Sequence, residues 1–162
     1  FSSTSDRWLM IKITTKNFNL EKEFSKISSK NNGGYSFFLG TVRNDLNKSG
    51  EKIYGIFLEC YKDLAIKQLS KIREQAIQKW HLNHCIIIHR IGKISLGEKI
   101  VLIITAAPHR EDAIRSNEFI IDCLKANAAF WKFNISKKNE QIVRFNKKDL
   151  KKYLKWSEVL ST

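Results

Sequence analysis

The chain has 162 residues, 43% hydrophobic and 28% charged, which suits one domain able to bury roughly two thirds of its unfolded surface in a single core. A net charge of +13 asks for anionic company (a phosphate-bearing ligand, nucleic acid, a membrane surface or an acidic protein), but a lysine-rich compositional drift explains much of the surplus equally well. Cys60, Cys85 and Cys123 are odd in number and widely spaced, so free thiols in a reducing cytosol are expected, with no disulfide framework or zinc site; apolar runs such as Ile100 to Ala107 are too short to cross a bilayer.

Met10, the one methionine, precedes the strand-like IKIT and reads as a plausible natural start, which leaves residues 1–9 as a non-native or upstream extension and 10–162 as one domain; a fragment of a longer chain is the other reading. Trp8 to Thr14 alternates as a first strand, and Asn19 caps a helix over Leu20 to Ser29 with Leu20, Phe24 and Ile27 on one face. Asn31-Asn32-Gly33-Gly34 stops it. Tyr35 to Val42 has strand length and ends in Arg43. The polar loop NDLNKSGEK then carries hairpin turn chemistry, with Ile53 to Tyr61 as the partner strand. From Asp63 to Trp80, Ala65, Leu69, Ile72, Ala76 and Trp80 recur at steps of three and four, so a long helix buries one face. Two β-rich runs follow, His84 to Ile94 and Lys99 to Ala107, separated by a turn at Leu96-Gly97-Glu98. Pro108 opens a helix through HREDAIRSNEFIIDCLKANA, with Glu111 and Asp112 at its positive end and Lys125 at its negative end. Phe130 to Ile135 and Gln141 to Phe145 read as short strands, and Lys147 to Leu160 as a last helix packing through Leu150, Tyr153 and Leu154. The order is that of an α+β fold rather than strict alternation.

No phosphate-loop, dinucleotide, zinc-protease or nucleophile-elbow signature occurs. Functional groups in special places remain. His109 and Arg110 sit at a helix start, where free N–H groups and the dipole favour an anion. Arg43 ends a strand and opens a loop; Lys125 and Lys132 flank two aromatic rings. Each also has a plain structural explanation, as do His89-Arg90 within a strand and the lysines of the last helix, which a nucleic-acid backbone or water would equally accept.

Five segments occur in fixed order: GGYSFFLGTVRN, LECY before a long helix ending in Trp80, IIIHRIGKISLGE, APHREDA, and FIIDCLK with FWK close behind. Over about residues 10 to 145 they resemble the large, catalytic subunits of molybdopterin synthase. The resemblance implies an α/β-hammerhead type fold with a small additional β-containing subdomain. It implies cytoplasmic sulfur transfer, from the C-terminal thiocarboxylate of a small ubiquitin-like sulfur-carrier subunit to cyclic pyranopterin monophosphate, giving the molybdopterin dithiolene. No metal or organic cofactor is implied. A homodimer of large subunits within a heterotetramer is, and neither membrane nor nucleic acid is an expected partner.

Residue by residue, the resemblance makes Lys125 and Lys132 catalytic. It lines the substrate pocket with Thr41, Val42, Arg43, His109, Arg110, Phe133 and Asn134 as well. Two positions depart from the family pattern: Ala129 stands where proline is usual, and Asn134 where a carboxylate is usual. The departures leave open a degenerate member that binds the carrier without turnover. A basic nucleic-acid-binding module is the reading from another class.

Overall fold

The computed structural model describes residues 10–126, 129–137, 140–143 and 147–161, with backbone alone at 140–143, 147–150, 153, 157 and 158. Residues 1–9, with the start of the first expected strand, and residues 144 and 145 of the last lie outside the described residues. Among the described residues eight strands and four helices follow in the order β1 Ile11–Thr14, α1 Leu20–Ser25, β2 Gly34–Thr41, β3 Ile53–Cys60, α2 Lys62–Trp80, β4 His84–Arg90, β5 Gly92–Ser95, β6 Lys99–Ala107, α3 Arg110–Lys125, β7 Phe130–Ser136, β8 Glu140–Val143 and α4 Lys147–Ser161. The strands form two sheets, ordered β1-β4-β6-β2 and β5-β3-β7-β8, so the fold is α+β and the second sheet is the expected extra β unit.

The first sheet is covered on both faces, which is why its central strands read as unbroken apolar runs. Ile87 and Ile103 face α2 and α3 within a core containing Leu69, Trp80, Phe119 and Ile120. Ile86, Ile88, Leu102 and Ile104 face the other way, against Ile27, Phe18, Leu20 and Tyr35. Asn19 caps α1 by accepting from the Lys22 N–H at 2.9 Å, as expected, but the helix ends at Ser25 rather than Ser29. Along α2 the buried positions are Ala65, Leu69, Arg73, Ala76 and Trp80, and the helix stops where His81 turns left-handed at φ 51°.

Three expectations are corrected by the structure. The β2 and β3 strands are not hairpin partners: β2 pairs antiparallel with β6, and β3 lies in the second sheet between β5 and β7. The loop between them closes on itself instead, through a Leu46–Lys52 bridge and the Asn47 side chain, whose oxygen accepts from Ser49 and Glu51 N–H at 2.9 Å each. The run from His84 to Ile94 is two strands, because Gly92 takes φ +83°, open mainly to glycine, and passes the chain from one sheet to the other. Finally, Leu154 is exposed and α4 docks through Trp156, while the side chains of Leu150 and Tyr153 lie outside the described residues. Its ring packs between Trp80 and Phe119, and its Nε1 donates to Asp122 at 2.7 Å.

Among the described residues no helix is long and apolar enough to cross a membrane. Cys85 and Cys123 are buried free thiols, as expected; Cys60 is free and half-buried.

Candidate functional site

The junction of the two sheets places Arg43. A register shift between Gly40 and Thr41 ends the β2–β6 ladder, a local bulge of the kind that re-aims a strand end. Thr41 is exposed there, while Val42 is buried against Ile56, Leu58 and Ile94 of the second sheet. Both backbone groups of Val42 are held: its N–H donates to Glu98 O at 3.0 Å and its carbonyl accepts from Gly97 N–H at 2.7 Å. Gly97 can make this close turn because its φ is +79°. The next side chain, Arg43, then projects into solvent and donates from Nη2 to Asp45 Oδ2 at 2.9 Å.

Lys132 arrives from β7. It stands opposite Leu58 on β3, and Asn134 stands opposite Ile56, so both share the sheet face that packs on Val42. Phe133, one residue along, points to the other face, its ring 6.3 Å from Phe57 and turned away from Lys132. The Lys132 ammonium keeps access to solvent but loses hydration to the surrounding protein. That desolvation, followed by the positive charge of Arg43, holds it below the ordinary lysine value; Asp45 partly offsets the effect and Lys125 adds to it. Lys125 ends α3, exposed, with its charge felt at Lys132. Asp45 is held below the usual carboxylate range by the Leu46 N–H, at 2.9 Å, and then by Arg43.

His109 and Arg110 lie at the opposite end of α3, whose 16 residues span about 24 Å. His109 is the N-cap residue and makes no side-chain cap bond. Arg110, Glu111, Ile114 and Arg115 line a surface cleft there. The start of β2 passes directly beneath: a Cβ on Gly34 would stand 2.8 Å from Arg110 Cα, and one on Gly33 would run into the Pro108 carbonyl. One chain therefore gathers Arg43, Lys125 and Lys132, and leaves His109 and Arg110 a helix length away.

One contributor, Asp45, is not singled out by the sequence, whereas His89 is. Asp45 follows Arg43 by two positions, but within NDLNKSGEK it passes for turn chemistry. His89 lies under β7, its ring stacked on Phe130 at 4.2 Å, and its Nδ1 donates to the Arg90 carbonyl at 2.8 Å. Burial lowers its pKa to about 4, so it is neutral at pH 7. Arg90 beside it is buried and donates to the Lys99 carbonyl at 3.1 Å, which fits the structural reading of both residues. Ala129, at the first departure from the family pattern, is buried in the main core just before β7. Among the described residues no three His, Cys, Asp or Glu side chains are grouped to hold a metal ion.

The class this defines is an α+β scaffold that concentrates cations where two sheets meet, an electrostatic arrangement suited to an anion. The model of the MoaE protein family matches residues 13–127. The catalytic subunit of molybdopterin synthase from Haemophilus ducreyi is 38% identical over 124 residues, 76% of this chain and 81% of that protein. The one from Pyrococcus abyssi is 32% identical over 125 residues, 77% and 83% respectively. A solved molybdopterin biosynthesis MoaE protein from Burkholderia ambifaria is similar with a TM-score of 0.76 and 33% identity, covering 91% of this chain and 97% of that one. The chain belongs to the MoaE family.

Proposed function

We propose that this chain is the catalytic subunit of a molybdopterin synthase. It is a sulfurtransferase that moves sulfur from the C-terminal thiocarboxylate of a small ubiquitin-like carrier subunit to cyclic pyranopterin monophosphate. Family membership supports the reaction class, and one observation supports its location: Lys132 is held below its ordinary pKa at a site shared with Arg43 and within reach of the Lys125 charge. Substrate phosphate and thiocarboxylate are both negative, and bringing them together requires cations already in place. Arg43 holds the phosphate. The carrier tail enters extended and presents its sulfur beside the lysines. Lys125 stabilises charge on the tetrahedral intermediate, and Lys132, with its proton more readily released, protonates the departing oxygen. Thr41 and Val42 shape the strand edge of the pocket, and Phe133 and Asn134 continue it past Lys132. Buried free thiols suit a reducing cytoplasm.

His109 and Arg110 join this pocket from a second copy of the chain. β2 runs from Gly34, beneath Arg110, to the strand end that carries Arg43, and it is the edge strand of its sheet with Phe37 and Leu39 exposed. Two β2 strands set antiparallel about a two-fold axis bring the helix start of each copy towards the lysines of the other. The decisive experiment supplies thiocarboxylated carrier and cyclic pyranopterin monophosphate and measures molybdopterin. Product is expected from the wild type, none from Lys125→Ala and little from Lys132→Ala. Full activity in both variants would exclude the lysine roles, and carrier binding without product in the wild type would mark a degenerate member.

A further inference from the structure

The pocket contains its own anion. Asp45 is fixed through both carboxylate oxygens: Oδ1 accepts from the Leu46 N–H at 2.9 Å, and Oδ2 from Arg43 Nη2 at 2.9 Å. Its backbone is fastened too, since the Asp45 carbonyl accepts from Ile53 N–H at 3.0 Å at the root of β3. Beyond it, Asn47 exchanges backbone and side-chain bonds with Glu51 and organises the rest of the loop. The carboxylate is thus placed by a built loop rather than by a free side chain that found a cation. It is also the acidic group that acts on Lys132, alongside the cations Arg43 and Lys125.

We propose that Asp45 is an internal counter-ion of the anion pocket, occupying Arg43 while the site is empty and giving way when a phosphate-bearing ligand arrives. The proposal deepens the sulfurtransferase reading and rests on it for the identity of that ligand. A carboxylate has two negative oxygens at the spacing a guanidinium recognises, so it competes with phosphate for the same donors. Such competition weakens all anions by a similar factor. A substrate with further contacts to make, through its pterin ring and the second copy, tolerates that loss, whereas free phosphate does not. Asp45 is in this sense a specificity-determining residue: it keeps Arg43 aimed and keeps stray inorganic phosphate off it. The same position two residues after Arg43 also supplies a carboxylate near Lys132, in a chain whose residue 134 is asparagine.

The test is a calorimetric titration of the full chain with inorganic phosphate at low ionic strength. Asp45→Asn retains an oxygen that can accept the Leu46 N–H but removes the charge, and it is expected to bind phosphate roughly fivefold more tightly, the effect of one unit charge a few ångströms away near water. Asp45→Glu restores the charge and is expected to bind like the wild type. In an Arg43→Ala background, phosphate binding is expected to weaken and Asp45→Asn to lose its effect. A tighter anion complex is a gain that simple damage to the loop does not produce. Phosphate affinity in Asp45→Asn equal to or weaker than wild type overturns the proposal, as does full persistence of the effect without Arg43. Because neither carrier nor turnover enters the titration, its failure leaves the Lys125→Ala assay standing, and failure of that assay leaves the titration standing.

Discussion

Lys132 and Arg43 are brought together by backbone register, and each acquires properties there that neither has alone. An arginine at position 132 keeps the positive charge but holds its proton at any working pH. Lys132→Arg is therefore expected to lower the rate of molybdopterin formation at least tenfold, at the low end of what a positioned acid contributes, roughly 10²–10⁴-fold, while leaving carrier binding intact in a pull-down with the thiocarboxylated subunit. Retention of the wild-type rate would show that charge alone suffices. The protonation argument has a sign. Lys132 is a base with a lowered pKa that must carry a proton to protonate a leaving group, so the rate falls as pH rises through that lowered value, below the ordinary lysine range. The groups acting on it are Arg43, Asp45 and Lys125. Removing the negative one in Asp45→Asn should move the alkaline limb of the rate profile to lower pH, and a limb that stays put or moves upward contradicts the assignment.

At the level of elements, β7 is positioned by what lies beneath it. His89 stacks on Phe130 two residues before Lys132, and burial keeps its imidazole neutral with a pKa of about 4. The unfolded chain binds this proton at about pH 6.5 and the folded chain resists it, so stability is full above pH 6.5 and is lost as pH falls towards 4. His89→Phe keeps a ring over Phe130 and removes the titration. The drop in urea midpoint between pH 7 and pH 4.5 should be smaller in this variant than in the wild type, with His84, also lowered by burial, supplying part of what remains. The opposite end of the site depends on β2 passing close under α3. A methyl group on Gly34 meets the Arg110 backbone at 2.8 Å, which neither element can relieve by a rotamer change. Gly34→Ala is expected to cost about 1–3 kcal/mol in chemical denaturation.

For the whole molecule, the separation of Arg110 from the lysines along α3 gives a quantitative test of a pocket shared between copies. Lys125→Ala and Arg110→Ala chains are each expected to be nearly inactive alone. Mixed and allowed to exchange subunits, they form half their dimers as hybrids. Each hybrid has one pocket carrying both lesions and one carrying neither, so activity should return to about one quarter of the wild-type value. No recovery after exchange would mean that each chain uses its own Arg110 or none.

Much of this was legible in the amino-acid order. Periodicity locates α2, periodicity with the Asn19 cap locates α1, and Pro108, Glu111, Asp112 and Lys125 mark the ends of α3. The resemblance carried by five ordered segments picked out Arg43, Lys125 and Lys132, which composition leaves looking like solvated cations. Asp45 escaped because a carboxylate in a turn-rich loop looks the same whether it caps a neighbour or faces an arginine. The sequence suggests a β2–β3 hairpin that does not form, for a related reason: turn residues report where a chain reverses and say nothing about which sheet receives it. At the end of β2 the buried Val42 is fastened to the turn before β6, so the loop carries the chain on to the second sheet instead of folding β3 back on β2.

The sequence by itself determined the helices, the apolar strands and the family, because these follow from local propensity, periodicity and the order of short motifs. Only the tertiary structure decided that Lys132 shares with Asn134 the sheet face that packs on Val42, that a carboxylate already answers Arg43, and that Arg43 and Lys132 gather at the Lys125 end of α3 rather than at its His109 and Arg110 end. Those outcomes depend on register, on strand exchange between sheets and on the length of a rigid helix. Such relations join residues distant in the chain, and local pattern does not contain them.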